Sequence, residues 1–440
     1  MNRALTTAAL LLAPCVCGAA QITLTPENCR AMALKNNVSL RQARLAAGAA
    51  DQAAAAAFTN YFPKLSAGGA AANTNILPDS ALGMALLPAV INTENTVSQA
   101  YVMAQLPLYA GGRVVNGNRL ARAGRDAARE QLRLKEQETL RGAEKRYRTL
   151  LVIAAKKRTL EAYAAMLDSL SAQVQQAFDG GLVTRTDLLR VELKKAEVAT
   201  DRETLARSGE LAEEDLRIFA GIPDDTGITL PQDDAPVTEP EVKKADLPGA
   251  LAQRPEYRLL ETGARAARLE TAMKRGEYLP SVALGATLYR ADYYRGGDQR
   301  YQNSAAFGVV SVPLDVWGVA HAVKEKALLQ KAAEDRLGES GRYLLLDLES
   351  RLKDYDAAWR GVKLRELAVQ EAAANSSEKK DGFDNGTEKL SDLLEALALE
   401  QQSRDALAEA RAAYFDARAA LRLAMGRQDA AGYGAQDPDD

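Results

Sequence analysis

The chain is poor in the residues from which most active sites are built. Of its 440 residues one is histidine (His321) and three are cysteine, two of them within the first twenty positions. That excludes a His/Cys metal cage, a histidine-centred acid–base pair and a disulfide framework. The sequence also holds no nucleophile elbow and no phosphate-binding glycine loop, so neither an enzyme nor a cofactor is expected. Gly111-Gly112-Arg113 reads as a junction between elements, and Cys29 as a small packed residue. Aromatics make up only 5% while apolar residues reach 47%, much of this alanine. A large globular core uses bulkier side chains; Ala-rich sequence mixed with Glu, Arg, Lys and Leu favours long, closely packed helices. There is no excess of positive charge either. Outside residues 1–20, which carry only Arg3, the balance is 55 − 59 = −4, and no nucleic-acid partner is expected.

The opening MNRALTTAALLLAPCVCGAAQ has one cation, an apolar run from Ala4 to Ala13, and small residues at Gly18 and Ala20. It reads as a secretory signal peptide over residues 1–20, too short to span a membrane as a helix. Lipidation at Cys15 fits less well, because Pro14 precedes it.

What the chain does have, it has twice. FDGGLVTRTDLL begins at Phe178 and FDNGTEKLSDLL at Phe383, 383 − 178 = 205 residues later. Upstream, LPLYAGGR matches VPLDVWGV, with Pro107 and Pro313 being 206 apart; YFPKLS matches YLPSVA, with Pro63 and Pro280 being 217 apart. The first copy therefore holds eleven extra residues between its two prolines, including Pro78–Pro88, expected to form an outer loop. So regular a duplication predicts two copies of one structural unit, over 21–221 and 249–427. Between them the Pro- and Asp-rich residues 222–248 read as a linker without elements of its own, and 428–440 as a disordered tail.

Each copy predicts the same order. A first helix covers about 26–60 or 247–277. Two strands follow, within about 63–107 or 280–313, whose prolines Pro63, Pro107, Pro280 and Pro313 mark strand–helix junctions. A helical hairpin follows over about 112–220 or 318–425. In SVALGATLYRADYY, Val282, Leu284, Ala286 and Leu288 alternate with Ser281, Ala283, Gly285 and Thr287, a period of two. Strands of about ten residues suit a tilted crossing of a bilayer. Tyr289, Tyr293, Tyr294 and Tyr301 cluster as an interfacial girdle would. Four strands cannot close a barrel, and open edges in lipid would leave backbone groups unpaired, so several chains would have to share one.

The long helices carry coiled-coil seams: Leu160, Tyr163, Leu167, Leu170, Val174 and Ala177 in one copy; Leu407, Ala410, Tyr414, Ala417, Leu421 and Ala424 in the other. The repeated phrase falls where such a helix reverses. Gly180-Gly181 and Asn385-Gly386 tolerate the backbone that ends a helix, while Thr184 or Thr186, and Thr387 or Ser391, can cap the returning one.

In order, duplication and spacing these features resemble the TolC family of outer-membrane efflux channels, over about 22–427. The resemblance implies a homotrimer with a twelve-stranded transmembrane β-barrel shared by three chains and a helical α-barrel extending into the periplasm. Its implied partners are outer-membrane lipid, a periplasmic adaptor protein and an inner-membrane transporter. It assigns adaptor contact to the tips, Gly181, Leu182, Val183, Thr184, Gly386 and Thr387, and the constriction to Asp392 and Glu395, which ring it and select cations, with Asp187 as the carboxylate that helps hold it closed by bonding a tyrosine on the other hairpin. It also locates two departures: Phe383 stands where the family has a tyrosine that bonds across the tip, and Glu388 where it has an arginine. Arg185 and Glu388 read as solvated charges more readily than as a substitute pair. The competing reading is a non-transport periplasmic coiled-coil scaffold or adaptor; an adaptor has one hairpin, and two hairpins with two strand pairs favour the channel.

Overall fold

Helices of 67 and 69 residues dominate the chain. The computed structural model describes residues 21–73, 96–231, 235–242, 244–294, 298–314 and 316–426. The expected signal peptide, the Pro78–Pro88 loop and the tail lie outside the described residues. In chain order the elements are β1 (Gln21–Thr23), α1 (Pro26–Asn36), α2 (Val38–Phe58), β2 (Lys64–Asn73), β3 (Thr96–Ala110), α3 (Arg113–Asp179) and α4 (Arg185–Ala220). Then come β4 (Gly227–Thr229), α5 (Leu247–Leu251), α6 (Pro255–Arg275), β5 (Ser281–Tyr294), β6 (Asp298–Ser311), α7 (Val316–Asp384) and α8 (Leu390–Ala424). The two copies match element for element from the first helices to the last. Among the described residues no helix is long and apolar enough to cross a membrane.

The chain forms two compact units, each drawn from both copies. One comprises the residues up to Arg41 with Glu136–Asp246 and Leu348 onward; the other comprises Gln42–Lys135 and Leu247–Asp347.

In the first unit, β1 and β4 form a short parallel pair. This corrects the reading of 222–248 as a bare connector. Leu24, Cys29, Ala33, Tyr147, Leu151, Leu216 and Ile222 are buried together, so β1, α1 and the 222–230 segment close over α3 and α4. The expected single helix over 26–60 breaks at Asn37, whose backbone is extended. The break is bonded rather than loose. The Asn37 side-chain oxygen accepts from the Leu40 N–H at 3.1 Å, and its Nδ2 donates to the Phe219 carbonyl at 3.0 Å. Asn36 Nδ2 donates to the Ala220 carbonyl at 3.2 Å. Two asparagines thus satisfy carbonyls that the end of α4 would leave orphaned.

In the second unit the matching helix also divides, into α5 and α6, where Pro255 opens the latter. Four strands form one antiparallel sheet in the order β2-β3-β5-β6. Pro63 and Pro280 stand immediately before β2 and β5, and Pro313 two residues after β6. Pro107 is a correction: it lies inside β3, beside a register shift between Pro107 and Tyr109, and the strand runs on to Ala110. A bulge is where a central strand tolerates a residue with no N–H to give. The turn into α3 uses Gly111 and Gly112 at φ +59° and +75°. A β-carbon on Gly111 would collide with the Gly276 carbonyl oxygen, so only glycine fits.

Directly opposed residues share a face of a sheet, and successive residues alternate. One face therefore carries Leu65, Val102, Ala104, Leu106, Val282, Leu284, Ala286, Leu288 and Val310. It is aliphatic and open as far as Leu288, with Leu65 77%, Leu288 61% and Val310 68% exposed; beyond Leu288 the same face carries the ion-paired Arg290, Asp292 and Arg300. The other face is mixed: Lys64, Ser66, Gln105, Ser281, Thr287 and Asn303 stand there with Met103, Phe307 and Val309. Tyr289 and Tyr301 lie on this second face, opposite Asn303 and Ala291. They are not part of a girdle on the aliphatic face.

Candidate functional site at the hairpin tips

Both hairpins turn through the same backbone device. In the first, the Gly181 N–H donates to the Phe178 carbonyl at 2.9 Å and the Leu182 N–H to the Ala177 carbonyl at 2.8 Å. In the second, the Gly386 N–H donates to the Phe383 carbonyl at 3.0 Å and the Thr387 N–H to the Gly382 carbonyl at 2.8 Å. This crossed pair of bonds, with Gly181 at φ +75° and Gly386 at +72°, is the Schellman ending that a C-terminal glycine permits. Nothing lies within 4 Å of where a β-carbon on either glycine would be, so these turns face open space. Leu182 beside them is 83% exposed. Val183, by contrast, packs inward against the core of the unit.

The returning helices start differently. Thr184 caps α4: its hydroxyl oxygen accepts from the Asp187 N–H at 3.3 Å, while Asp187 Oδ2 accepts from the Thr184 N–H at 3.2 Å and from its hydroxyl at 2.7 Å. This is a capping box, with aspartate in the place of the usual Glu or Gln. The start of α8 falls on Lys389, which offers no side-chain cap. Thr387 and Ser391, the expected candidates, do other things. The Thr387 hydroxyl donates to the Gly382 carbonyl at 3.0 Å, closing the end of α7, and the Ser391 hydroxyl donates to Asp392 Oδ1 at 3.0 Å. Asp392 sits in the first turn of α8, where a carboxylate favours the helix dipole.

A core of apolar side chains joins the hairpins. Leu160, Tyr163, Leu167, Leu170 and Val174 of α3 and Val191 and Val198 of α4 are buried with Leu390, Leu393, Leu394 and Leu397 of α8; Phe383 packs against them. The expected seam on α3 is thus the buried one, with Ala177 half-exposed at its end. The missing tyrosine hydroxyl is replaced by packing. Glu388 also has a partner the sequence did not suggest. Its carboxylate accepts from Lys379 Nζ at 2.8 Å, and this bond raises the lysine's pKa above its ordinary value. Arg185 is not its partner.

The three carboxylates singled out from sequence are thus placed differently. Asp392 and Glu395 lie three residues apart on α8, a spacing that puts them on one face, with Asp392 half-buried and Glu395 exposed. Asp187 is committed to its own helix cap and lies 3.8 Å from Arg190. Among the described residues no group of three His, Cys, Asp or Glu could hold a metal ion.

The family model for outer membrane efflux proteins matches residues 30–220 and 247–427. No curated protein matches the chain. Solved structures do, at low identity. The outer membrane protein VceC of Vibrio cholerae is 17% identical, with a TM-score of 0.76 over 91% of this chain and 96% of that one. The CmeC outer membrane channel of Campylobacter jejuni is 16% identical, with 0.75 over 97% and 94%. The open state of the Neisseria gonorrhoeae MtrE outer membrane channel is 19% identical, with 0.72 over 91% and 88%. Both copies of the duplicated unit fall within the family match, and the chain belongs to the outer membrane efflux protein family, as an exit duct in the outer membrane.

Proposed function

We propose that three copies of the chain assemble, each giving four strands to a twelve-stranded barrel, and that the resulting passive conduit docks through its helical tips to a periplasmic adaptor coupled to an inner-membrane transporter. The observation that supports this best is the sheet itself. Its edges, β2 and β6, are open, and its aliphatic face is exposed from Leu65 to Val310. In lipid each unpaired edge group costs several kcal/mol, and neighbouring copies remove those edges. The tips Gly181, Leu182, Val183, Thr184, Gly386 and Thr387 are the adaptor-contacting segment of this proposal. Leu182 is its best probe, because substituting a glycine at positive φ strains the turn itself.

Asp392 and Glu395 form the constriction in this reading. Three copies bring six carboxylates into one narrow passage, which favours cations. Asp187 is assigned to positioning, since its carboxylate is taken up by Thr184. The test is planar-bilayer recording of wild type against Asp392→Ala/Glu395→Ala. Cation selectivity should fall in the double variant; unchanged selectivity in an assembled variant would place the constriction elsewhere. A soluble, non-membrane protein after fractionation would favour the scaffold reading instead.

A further inference from the structure

The second face of the sheet carries an aromatic cluster. Read across the strands, one rung is Gly68, Tyr101, Tyr289 and Asn303, and the next is Ala70, Gln99, Ala291 and Tyr301. Tyr101 and Tyr289 oppose each other directly, and Tyr301 is diagonal to Tyr289. Gly68 makes room beside them: a β-carbon there would meet the Tyr101 hydroxyl oxygen at 2.7 Å, so the ring lies across bare backbone. Tyr101, Tyr289 and Tyr301 are 36%, 40% and 52% exposed. Neither rung contains an acidic or basic residue. The strands alternate without a register shift from the aliphatic stretch ending at Leu288 to these rungs, so the rings face the lumen of any barrel whose aliphatic stretch meets lipid; behind the rings the opposite face carries Arg290, Asp292 and Arg300.

We propose that Tyr101, Tyr289 and Tyr301 form a lumenal collar that contacts hydrophobic organic cations as they leave. The inference rests on the three-chain barrel proposed above. Twelve strands about 4.8 Å apart and tilted about 40° make a barrel of roughly 12 Å backbone radius, and inward side chains narrow its lumen further. Threefold repetition puts nine phenol rings into it within two rungs. The face of each ring is the negative end of its quadrupole, and the hydroxyl and amide oxygens are acceptors, so the collar suits a cation with apolar surface and disfavours an anion. The duct would then contribute to cargo preference itself.

The probe is tetraphenylphosphonium, added to the strand side of purified protein in planar bilayers. Wild type should show concentration-dependent block. Tyr101→Leu/Tyr289→Leu, which keeps bulk and loses the rings, should weaken block about fivefold, while Tyr101→Phe/Tyr289→Phe should stay within about twofold of wild type. Tyr289→Leu alone serves if the double variant does not assemble. In a Cys29→Ala background, Tyr289→Cys should react with a membrane-impermeant thiol reagent. Absence of block in conducting wild type, equal block of the Leu and wild-type channels, or labelling of Tyr289→Cys only by a lipid-soluble reagent would overturn the collar. If wild type stays closed, the same comparison is made in a Leu393→Ala background, and a protein that conducts in neither would instead overturn the channel reading beneath it.

Discussion

Replacing Leu393 by alanine should open the tips far more than breaking any ion pair there. Leu393 is 2% exposed and sits in the core shared by α3, α4 and α8. Truncating a buried leucine costs about 2–5 kcal/mol, transfer and cavity together. If opening separates the hairpins, that energy is lost mainly from the closed state, a shift of roughly 30-fold or more at 1.4 kcal/mol per decade. The Lys379–Glu388 pair is about one-third exposed on each side, and such pairs contribute about 0–1 kcal/mol. Single-channel recording of Leu393→Ala, Glu388→Gln and wild type, in about 0.1 M and 1 M salt, separates the two. The Debye length falls from about 10 Å to 3 Å over that range, so a polar latch weakens and an apolar one does not. Open probability should rise strongly in Leu393→Ala, little in Glu388→Gln, and hardly with salt. A larger effect of Glu388→Gln, or wild-type opening that follows ionic strength, would refute the apolar latch.

Three further outcomes follow from the same contacts. Thr184→Ala should cost about 1 kcal/mol by removing a helix cap, while Ser391→Ala should cost much less because Ser391 caps nothing; denaturant titration of both checks this, and equal losses would contradict it. The Tyr163 hydroxyl is buried and finds no hydrogen-bond partner among the described residues, so Tyr163→Phe should leave stability unchanged or raise it by about 1 kcal/mol; a loss above that would reveal a partner, such as a neighbouring chain. Burial pushes the Cys29 thiol pKa up to about 12, so the folded protein at pH 8 should resist alkylation and react only on unfolding. Rapid labelling of folded protein would show that α1 does not stay packed.

Much of this was legible because the period of the sequence changes so sharply. The expected hairpin helices and the observed ones agree to within two residues at each end, since alanine-rich seams and paired glycines leave few alternatives. The parity of the tyrosines was legible too. Tyr289 stands five residues from Leu284, an odd number, so a period of two already puts it on the other face; nearness to Tyr301 suggested a girdle that parity denies for these two. Other features had no local signal. The break at Asn37 depends on the Phe219 carbonyl, 182 residues away. Strand β4 exists because β1 pairs with it, and three residues of GIT carry no period. The partner of Glu388 became visible only once the turn brought Lys379 back beside it. At the tip, residue types named the carboxylates, while geometry decided that Asp187 serves a cap.

The shared barrel proposed above requires the open edges β2 and β6 to meet between chains. Within one chain those strands are separated by β3 and β5, roughly 14 Å apart at about 4.8 Å per step, far beyond the 3.5–4.5 Å between β-carbons that a disulfide requires. Cysteine pairs placed one on each edge, scanned from Ser66 in β2 against Ala305 in β6 in a Cys29→Ala background, should oxidise in the membrane to covalent dimers and trimers on a denaturing gel. Bands that remain monomeric at every register, in protein recovered from the outer membrane, would contradict the shared barrel.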